Sequence, residues 1–228
     1  MSRFAPLASV QPHSVPSRAA GYIAPRLGLA ALRRSLGLGA SALTFGIPLL
    51  DALTDGFARG ALHEIVGDRA AVAAFLAALL GRDRRQAQIL WVTSGAGLHA
   101  PALAQLGLDH RRLTVVTTPR AGDRCWAAEE ALGEKLGYGL VVAEIDGADV
   151  EVTQRLQVAA EKRGATGFLV RSDHGASAAA TRWSVQVASS DGFRPCWRLT
   201  LDSWQGSALR RSWLIEWDYA AGSFRLIE

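Results

Sequence analysis

Short runs of apolar residues punctuate the chain at 61–66, 89–93, 113–117, 139–144 and 166–171. Each is too short for a buried helix and too continuous for a strand with one wet face, so each predicts a strand covered on both sides. Between them lie segments with helical spacing. Residues 70–80 are almost wholly apolar, 101–106 and 123–136 are mixed, and 150–163 are amphipathic. Strands alternating with helices of this length predict an α/β fold with a mostly parallel sheet flanked by helices. Gly67 marks the turn between the first strand and the 70–80 helix, which Gly81 and the run Arg82-Asp83-Arg84-Arg85 then stop. A further short helix is expected at 47–53.

Beyond residue 180 the period changes to strict alternation, at 183–188, 196–202, 211–218 and 223–227. In the third of these Trp213, Ile215 and Trp217 share one face, while Leu214, Glu216 and Asp218 share the other. Gly206 and Gly222 mark turns, and the pattern predicts an antiparallel extension of the sheet. Before residue 40, Pro6, Pro12, Pro16 and Pro25 give a loose leader. A short helix at 27–36, with Leu29, Leu32 and Leu36 on one face, ends at Gly37 and Gly39. The expected organisation is a leader and short helix over 1–40, a core over 41–190 and a β-strand extension over 191–228.

Composition narrows the function classes. The chain has 228 residues, 49% hydrophobic and 20% charged, with a net charge of +4. That is a soluble globular balance and not a polybasic footprint. Lysine occurs only at Lys135 and Lys162, so nearly all positive charge is arginine. Arg82 to Arg85 with Arg111-Arg112 could form a phosphate-contacting strip, or serve as ordinary helix-end charges. Cys125 and Cys196 stand far apart, which excludes a zinc ribbon or disulfide framework and suits a reducing cytoplasm. No run approaches the roughly 18 apolar residues of a membrane span. His63, Glu64, His99 and Asp173-His174 show no paired-ligand or hydrolase spacing, so the histidines are expected at surfaces or strand ends. Asp146 and Asp149 follow Glu144 at a strand end, where they read as loop acids and a helix cap.

Gly67 also invites comparison with a phosphate-binding loop. Such a loop needs glycine for close backbone approach, lysine for the terminal phosphates and a hydroxyl for Mg²⁺. After Gly67 this chain continues Asp68-Arg69-Ala70-Ala71-Val72-Ala73-Ala74-Phe75, so Val72, Ala73 and Ala74 stand where Gly, Lys and Ser/Thr would be. Neither lysine can substitute, because both fall on later predicted helices.

The order of motifs carries a resemblance. A G-x-x-x-L-D helix (Gly46 to Asp51) precedes G-x-x-x-G-x-x-x-E-I-x-G (Gly56 to Gly67). Then come L-G-L-D (Leu106 to Asp109) and an apolar strand ending in an acid, Leu140 to Glu144. Over about residues 41–190 this resembles the RecA-type recombinase core. It is more closely similar to the ImuA family, the RecA-like, SulA-like accessory proteins of SOS-induced mutagenesis. The resemblance places Glu144 at the Walker B position and puts a catalytic glutamate around Thr93 to Gly97, where no residue is acidic. It also sets Arg171-Ser172-Asp173-His174 in place of the Asn/Gln pair that senses the γ-phosphate.

The resemblance therefore implies a non-catalytic protein with no cofactor and no metal, whose Gly67, Val72, Ala73, Ala74 and Glu144 are degenerate remnants of a nucleotide site. It implies partners in translesion synthesis: an ImuB-type Y-family polymerase homologue, an error-prone polymerase III alpha-type subunit and RecA, with DNA contacted indirectly. Competing readings are a RecA-like ATPase with an unorthodox loop and a SulA-like cell division inhibitor. The aromatic-rich tail supplies the candidate partner-binding residues Trp213, Trp217, Phe224 and Leu226, against the reading that they are core.

Overall fold

The computed structural model describes residues 42–95, 98–133, 136–189, 192 and 194–227. The predicted leader and the helix at 27–36 lie outside the described residues.

Local signals explain most element boundaries. Helix α1 (Pro48–Thr54) opens with proline, whose missing N–H costs nothing at a helix start. The Asp51 carboxylate of α1 accepts from the N–H groups of Phe45 and Gly46, both at 2.8 Å, and so fastens the preceding loop. Burial nevertheless raises the Asp51 pKa. Strand β1 (Ala42–Leu43) and strand β2 (Phe57–Ala58) flank α1 and pair as a two-stranded ribbon. Two-residue strands leave no periodic trace, and the sequence did not foretell them.

The main succession is strand β3 (Leu62–Gly67), helix α2 (Arg69–Gly81), strand β4 (Gln88–Thr93), helix α3 (Ala100–Gln105) and strand β5 (Leu113–Thr117). Helix α4 (Ala121–Gly133), strand β6 (Tyr138–Glu144), helix α5 (Val150–Arg163) and strand β7 (Thr166–Arg171) follow. Asp149 caps α5 by accepting from Val152 N, and Gly164 closes that helix in the left-handed conformation, as its missing Cβ permits. Gly81 ends α2 where a Cβ would lie 2.5 Å from the Gly107 carbonyl oxygen.

Strand β8 (Thr181–Val187), strand β9 (Cys196–Trp204), strand β10 (Ser207–Asp218) and strand β11 (Ser223–Leu226) complete a nine-stranded sheet ordered β11-β10-β9-β8-β3-β7-β6-β4-β5. From β8 through β5 every pairing is parallel. From β8 outward to β11 every pairing is antiparallel. The α/β class with a parallel sheet and an antiparallel extension is thus the observed fold. The expected boundary at 190/191 falls between β8 and β9, two partners in one ladder, and the described residues belong to one compact unit.

Each face of the sheet carries its own core. Under α1, α2 and α3 lies a large aromatic-rich cluster that runs from Trp91 on β4 across to Trp217 on β10. Under α4 and α5 lies a smaller cluster of alanine, valine and leucine. His63, expected at a surface or strand end, is fully buried among the aromatics. Its Nε2 donates to Ala58 O at 2.8 Å, and its Nδ1 accepts from Thr181 Oγ at 2.7 Å. Thr181 Oγ in turn accepts from Trp183 Nε1 at 3.0 Å. Every polar atom in this relay is satisfied by the neutral ring, which is why a histidine can sit in the core.

Candidate functional site

Ligands of open parallel sheets bind beyond the carboxyl ends of the strands, which here means the ends of β3, β4, β6 and β7. The first of these departs from a phosphate-binding loop in a physical way. A phosphate-binding loop interposes several residues between the strand's glycine and the helix. Here only Asp68 separates Gly67 from Arg69, the first residue of α2. Val72, Ala73 and Ala74 are therefore already inside the helix. Val72 is fully buried and its amide donates to Asp68 O at 2.9 Å, while Ala73 and Ala74 pack at the edge of the aromatic core. The sequence expected a change of residue type at these positions and a helix from residue 70; the helix begins one residue earlier, which leaves no room for a phosphate-binding loop.

Asp68 also consumes what an anion would use. Its carboxylate accepts from Ala70 N at 3.0 Å and Ala71 N at 3.1 Å. These are the exposed donors that make a helix N-terminus attractive to phosphate. Gly67 keeps a packing role, because a Cβ there would collide with the Val185 carbonyl oxygen of β8.

Glu144 ends β6 and is 4% exposed. Its Oε1 accepts from Trp91 Nε1 and its Oε2 from Thr93 Oγ, both at 2.9 Å. Arg69 reaches back over this group. Its Nη1 lies 3.1 Å from Ser94 Oγ and 3.6 Å from Glu144 Oε2, and its Nη2 pairs with Asp146. Asp146 is no free loop acid, since it also accepts from Ser172 N at 2.8 Å and Ser172 Oγ at 2.9 Å. Burial works to raise the Asp146 pKa, but the Ser172 and Arg69 hydrogen bonds prevail and lower it. Asp149 is the helix cap the sequence suggested.

The end of β7 is paired in the same manner. Arg171 Nε donates to Asp173 Oδ1 at 3.0 Å, and its hydrogen bonds hold the Asp173 carboxyl down at about 2. Glu64, fully buried on β3, faces Arg182 at 2.9 Å and Arg171 at 3.7 Å. His174 and His99 are exposed. The proposed arginine strip divides: Arg111 is exposed and pairs with Asp109, whereas Arg112 turns inward onto buried Asp83, which Arg59, outside the strip, also meets. Two acids at the cleft are thus held by an internal guanidinium and the helix donors by an internal carboxylate. A Mg²⁺-triphosphate does not fit such a site without displacing both.

The tail residues are placed differently from the interface reading. Trp213, Trp217 and Phe224 are buried in the aromatic core, Trp217 and Phe224 with ring centroids 5.1 Å apart, and Leu226 packs against it. Alternation turned Trp213, Trp217 and Phe224 inward, with Leu226 half-buried on β11, the edge strand of the sheet. Among the described residues the exposed tryptophan is Trp126 on α4, 66% accessible. Its signal was the helix period: Arg124, Ala128 and Ala131 mark the buried side, and Trp126 falls opposite.

Among solved structures, that of the RadB recombinase matches with a TM-score of 0.61 over 82% of this chain and 100% of that chain, at 16% identity. Sheet order and this likeness define the class as a RecA-like α/β fold. No protein-family model matches the chain. It is, however, 32% identical over 193 residues to Protein ImuA of Caulobacter vibrioides, covering 72% of this chain and 79% of that protein, with the same figures in two strains. The chain belongs to the ImuA family. No helix among the described residues is long and apolar enough to cross a membrane.

Proposed function

We propose that this protein is a non-catalytic accessory factor of damage-induced, error-prone translesion synthesis, an adaptor that assembles polymerase subunits without turning over nucleotide. The observation that carries the reading is the β3–α2 turn, where Asp68 occupies the helix N-terminus and Arg69 occupies the carboxylates beneath it. Phosphoryl transfer depends on positioning and on cations at the transferred group. Here those groups are committed to one another. What remains is a RecA-like scaffold whose surface can contact protein partners.

Family membership supports an ImuB-type Y-family polymerase homologue, an error-prone polymerase III alpha-type subunit and RecA as the partners, in the cytoplasm, with DNA reached through them. Gly67, Val72, Ala73, Ala74 and Glu144 serve packing and ion pairing in this reading. Calorimetric titration with Mg²⁺-ATP should give no saturable heat, and a turnover assay no phosphate release. Pull-downs should retain the polymerase subunits and not the division protein. Turnover that disappears on Glu144→Gln would establish the ATPase reading instead, and capture of the division protein alone would establish the SulA-like one.

A further inference from the structure

The rim at the strand ends is held by one side chain that touches three residues at the ends of two strands. Arg69, at the start of α2, meets Ser94 just after β4, Glu144 at the end of β6, and Asp146 beyond it. Asp146 passes the connection on to Ser172, just after β7, through both the amide and the hydroxyl. Glu144 is buried and takes its remaining hydrogen bonds from Trp91 and Thr93, both neutral donors. A buried carboxylate with a second carboxylate nearby needs a positive charge, and removing the nearest one is unfavourable. Among the described residues Arg69 supplies the cation in both ion pairs of Glu144 and Asp146, while Arg171 acts on Asp146 from farther away.

We infer that the Arg69 guanidinium is a built-in counter-cation, standing where a RecA-like fold would take a metal–nucleotide and locking the strand-end rim in one shape without any ligand. The inference rests on the nucleotide-free reading of this cleft and deepens it, because it says what takes the ligand's place. A rim completed by a bound ligand would change shape with occupancy. Here the completing charge is covalently part of α2. The surface formed by the ends of β3, β4, β6 and β7 is therefore constant, and a partner that reads it meets the same surface at every nucleotide concentration.

The geometry also says what removal would do. Arg69→Ala leaves Glu144, Asp146 and the hydroxyls of Thr93 and Ser94 around a vacated cationic position, an all-oxygen set suited to a hard divalent ion. The purified full chain, Arg69→Ala, Arg69→Lys and the remote control Arg111→Ala are melted in MgCl₂ and in NaCl of equal ionic strength. Arg69→Ala should melt lower than the parent by roughly 4 °C or more, a shift expected for one lost charge partner in a chain of this size. MgCl₂ should raise its melting temperature while leaving the parent and Arg111→Ala unchanged, since an ion that binds only the folded variant stabilises it. Arg69→Lys should melt between the two and ignore magnesium.

Should Arg69→Ala not fold, Arg69→Gln keeps a donor of similar reach without the charge. The Ser172 amide should then exchange with deuterium at least tenfold faster than in the parent. A parent-like melting temperature in Arg69→Ala, a loss that magnesium does not relieve, or unchanged exchange at Ser172 in Arg69→Gln would overturn the inference. Each leaves the adaptor reading standing, whereas Mg²⁺-ATP bound by the unaltered chain sinks that reading whatever the variants do.

Discussion

On the face covered by α1, α2 and α3 the sheet presents Trp91, Phe168, Trp183, Trp197, Trp213 and Trp217, and the covering segments answer with Phe45, Phe57 and Phe75. On the face covered by α4 and α5 it presents Leu90, Val92, Val141, Ala143 and Leu169 against Ala128, Ala131, Leu156 and Ala160. One layer is filled by large rings, the other by helices whose small residues let the backbone come close. The aromatic layer also continues beneath β9, β10 and β11, where the opposite side of the same strands is polar. There Thr200 Oγ bonds Ser212 Oγ at 2.8 Å, and Arg194 and Arg225 pair with Glu216 and Asp218. The antiparallel strands are thus joined to the parallel ones through a shared aromatic core on one side only. The two faces should fail in opposite ways, one on losing volume and the other on gaining it.

Truncation on the aromatic face should have the largest effect. Trp183 is 1% exposed, and its ring meets those of Phe45, Phe57 and Trp213 at centroid distances of 5.4, 5.4 and 6.1 Å. Trp183→Ala should cost about 3–5 kcal/mol in urea denaturation, for lost burial plus the cavity left behind. A cost under about 1 kcal/mol would show that the layer can collapse and that its rings are interchangeable filler.

Acid should attack the same face next. Burial lowers the His63 pKa from 6.5 to about 4, against a smaller opposing contribution from its hydrogen bond to Ala58. Above pH 6.5 the ring is neutral folded or unfolded, and stability is complete. As pH falls toward 4 the unfolded chain takes up a proton that the folded one refuses, so stability declines by up to about 3 kcal/mol. Below about 4 this group adds no further loss, and the depressed carboxyl of Asp173, at about 2, takes over. Urea midpoints from pH 7.5 to 4.5 should drop for the parent and stay flatter for His63→Gln, which retains a donor and an acceptor without titrating in this range. Parallel slopes would remove His63 from the account.

These two sites also show what the chain revealed before its structure. The apolar runs gave the parallel strands to within a residue or two, because a strand buried on both faces leaves an unbroken signal. The tail alternation gave β9, β10 and β11 and the faces of Trp213 and Trp217, although β8, expected with them, lies parallel to β3, and the interface reading turned the tryptophans toward a partner. Gly67 and Glu144 were legible as positions. The start of α2 was legible to within a residue, since the apolar run from residue 70 reads as helix directly after the Gly67 turn. The Arg69–Asp146 pair was hidden, because the partners lie 77 residues apart and only the fold brings them together. His63 was misplaced because its acceptor, Ala58 O, sits on a ribbon too short to predict.

Enlargement should be the failure of the alanine face. Ala160 is fully buried on α5, within the cluster that holds Leu156 and Ala165. Ala160→Leu should cost about 1–3 kcal/mol, since the added carbons must push α5 away from the sheet. The same enlargement at Ala73, at the rim of the aromatic layer and half-buried, should cost less. Equal costs would mean that the two layers differ in composition but not in tightness.

The smallest effect on stability belongs to Trp126, the aromatic that the alanine face leaves outside. At 66% exposure its ring contributes little to packing, so Trp126→Phe should shift the urea midpoint by no more than about 0.5 kcal/mol equivalent. Its fluorescence should change far more than its stability. Of the seven tryptophans, Trp91, Trp183, Trp197, Trp213 and Trp217 are buried and Trp204 is half-buried, which leaves Trp126 as the ring most open to an ionic quencher. Iodide should quench a red-shifted fraction of the parent emission, and Trp126→Phe should abolish most of that fraction. Repeating the titration with each polymerase subunit then asks whether α4 is covered in the assembly. Protection by one subunit would place that partner on the alanine face, and full quenching in every mixture would leave this face in solvent.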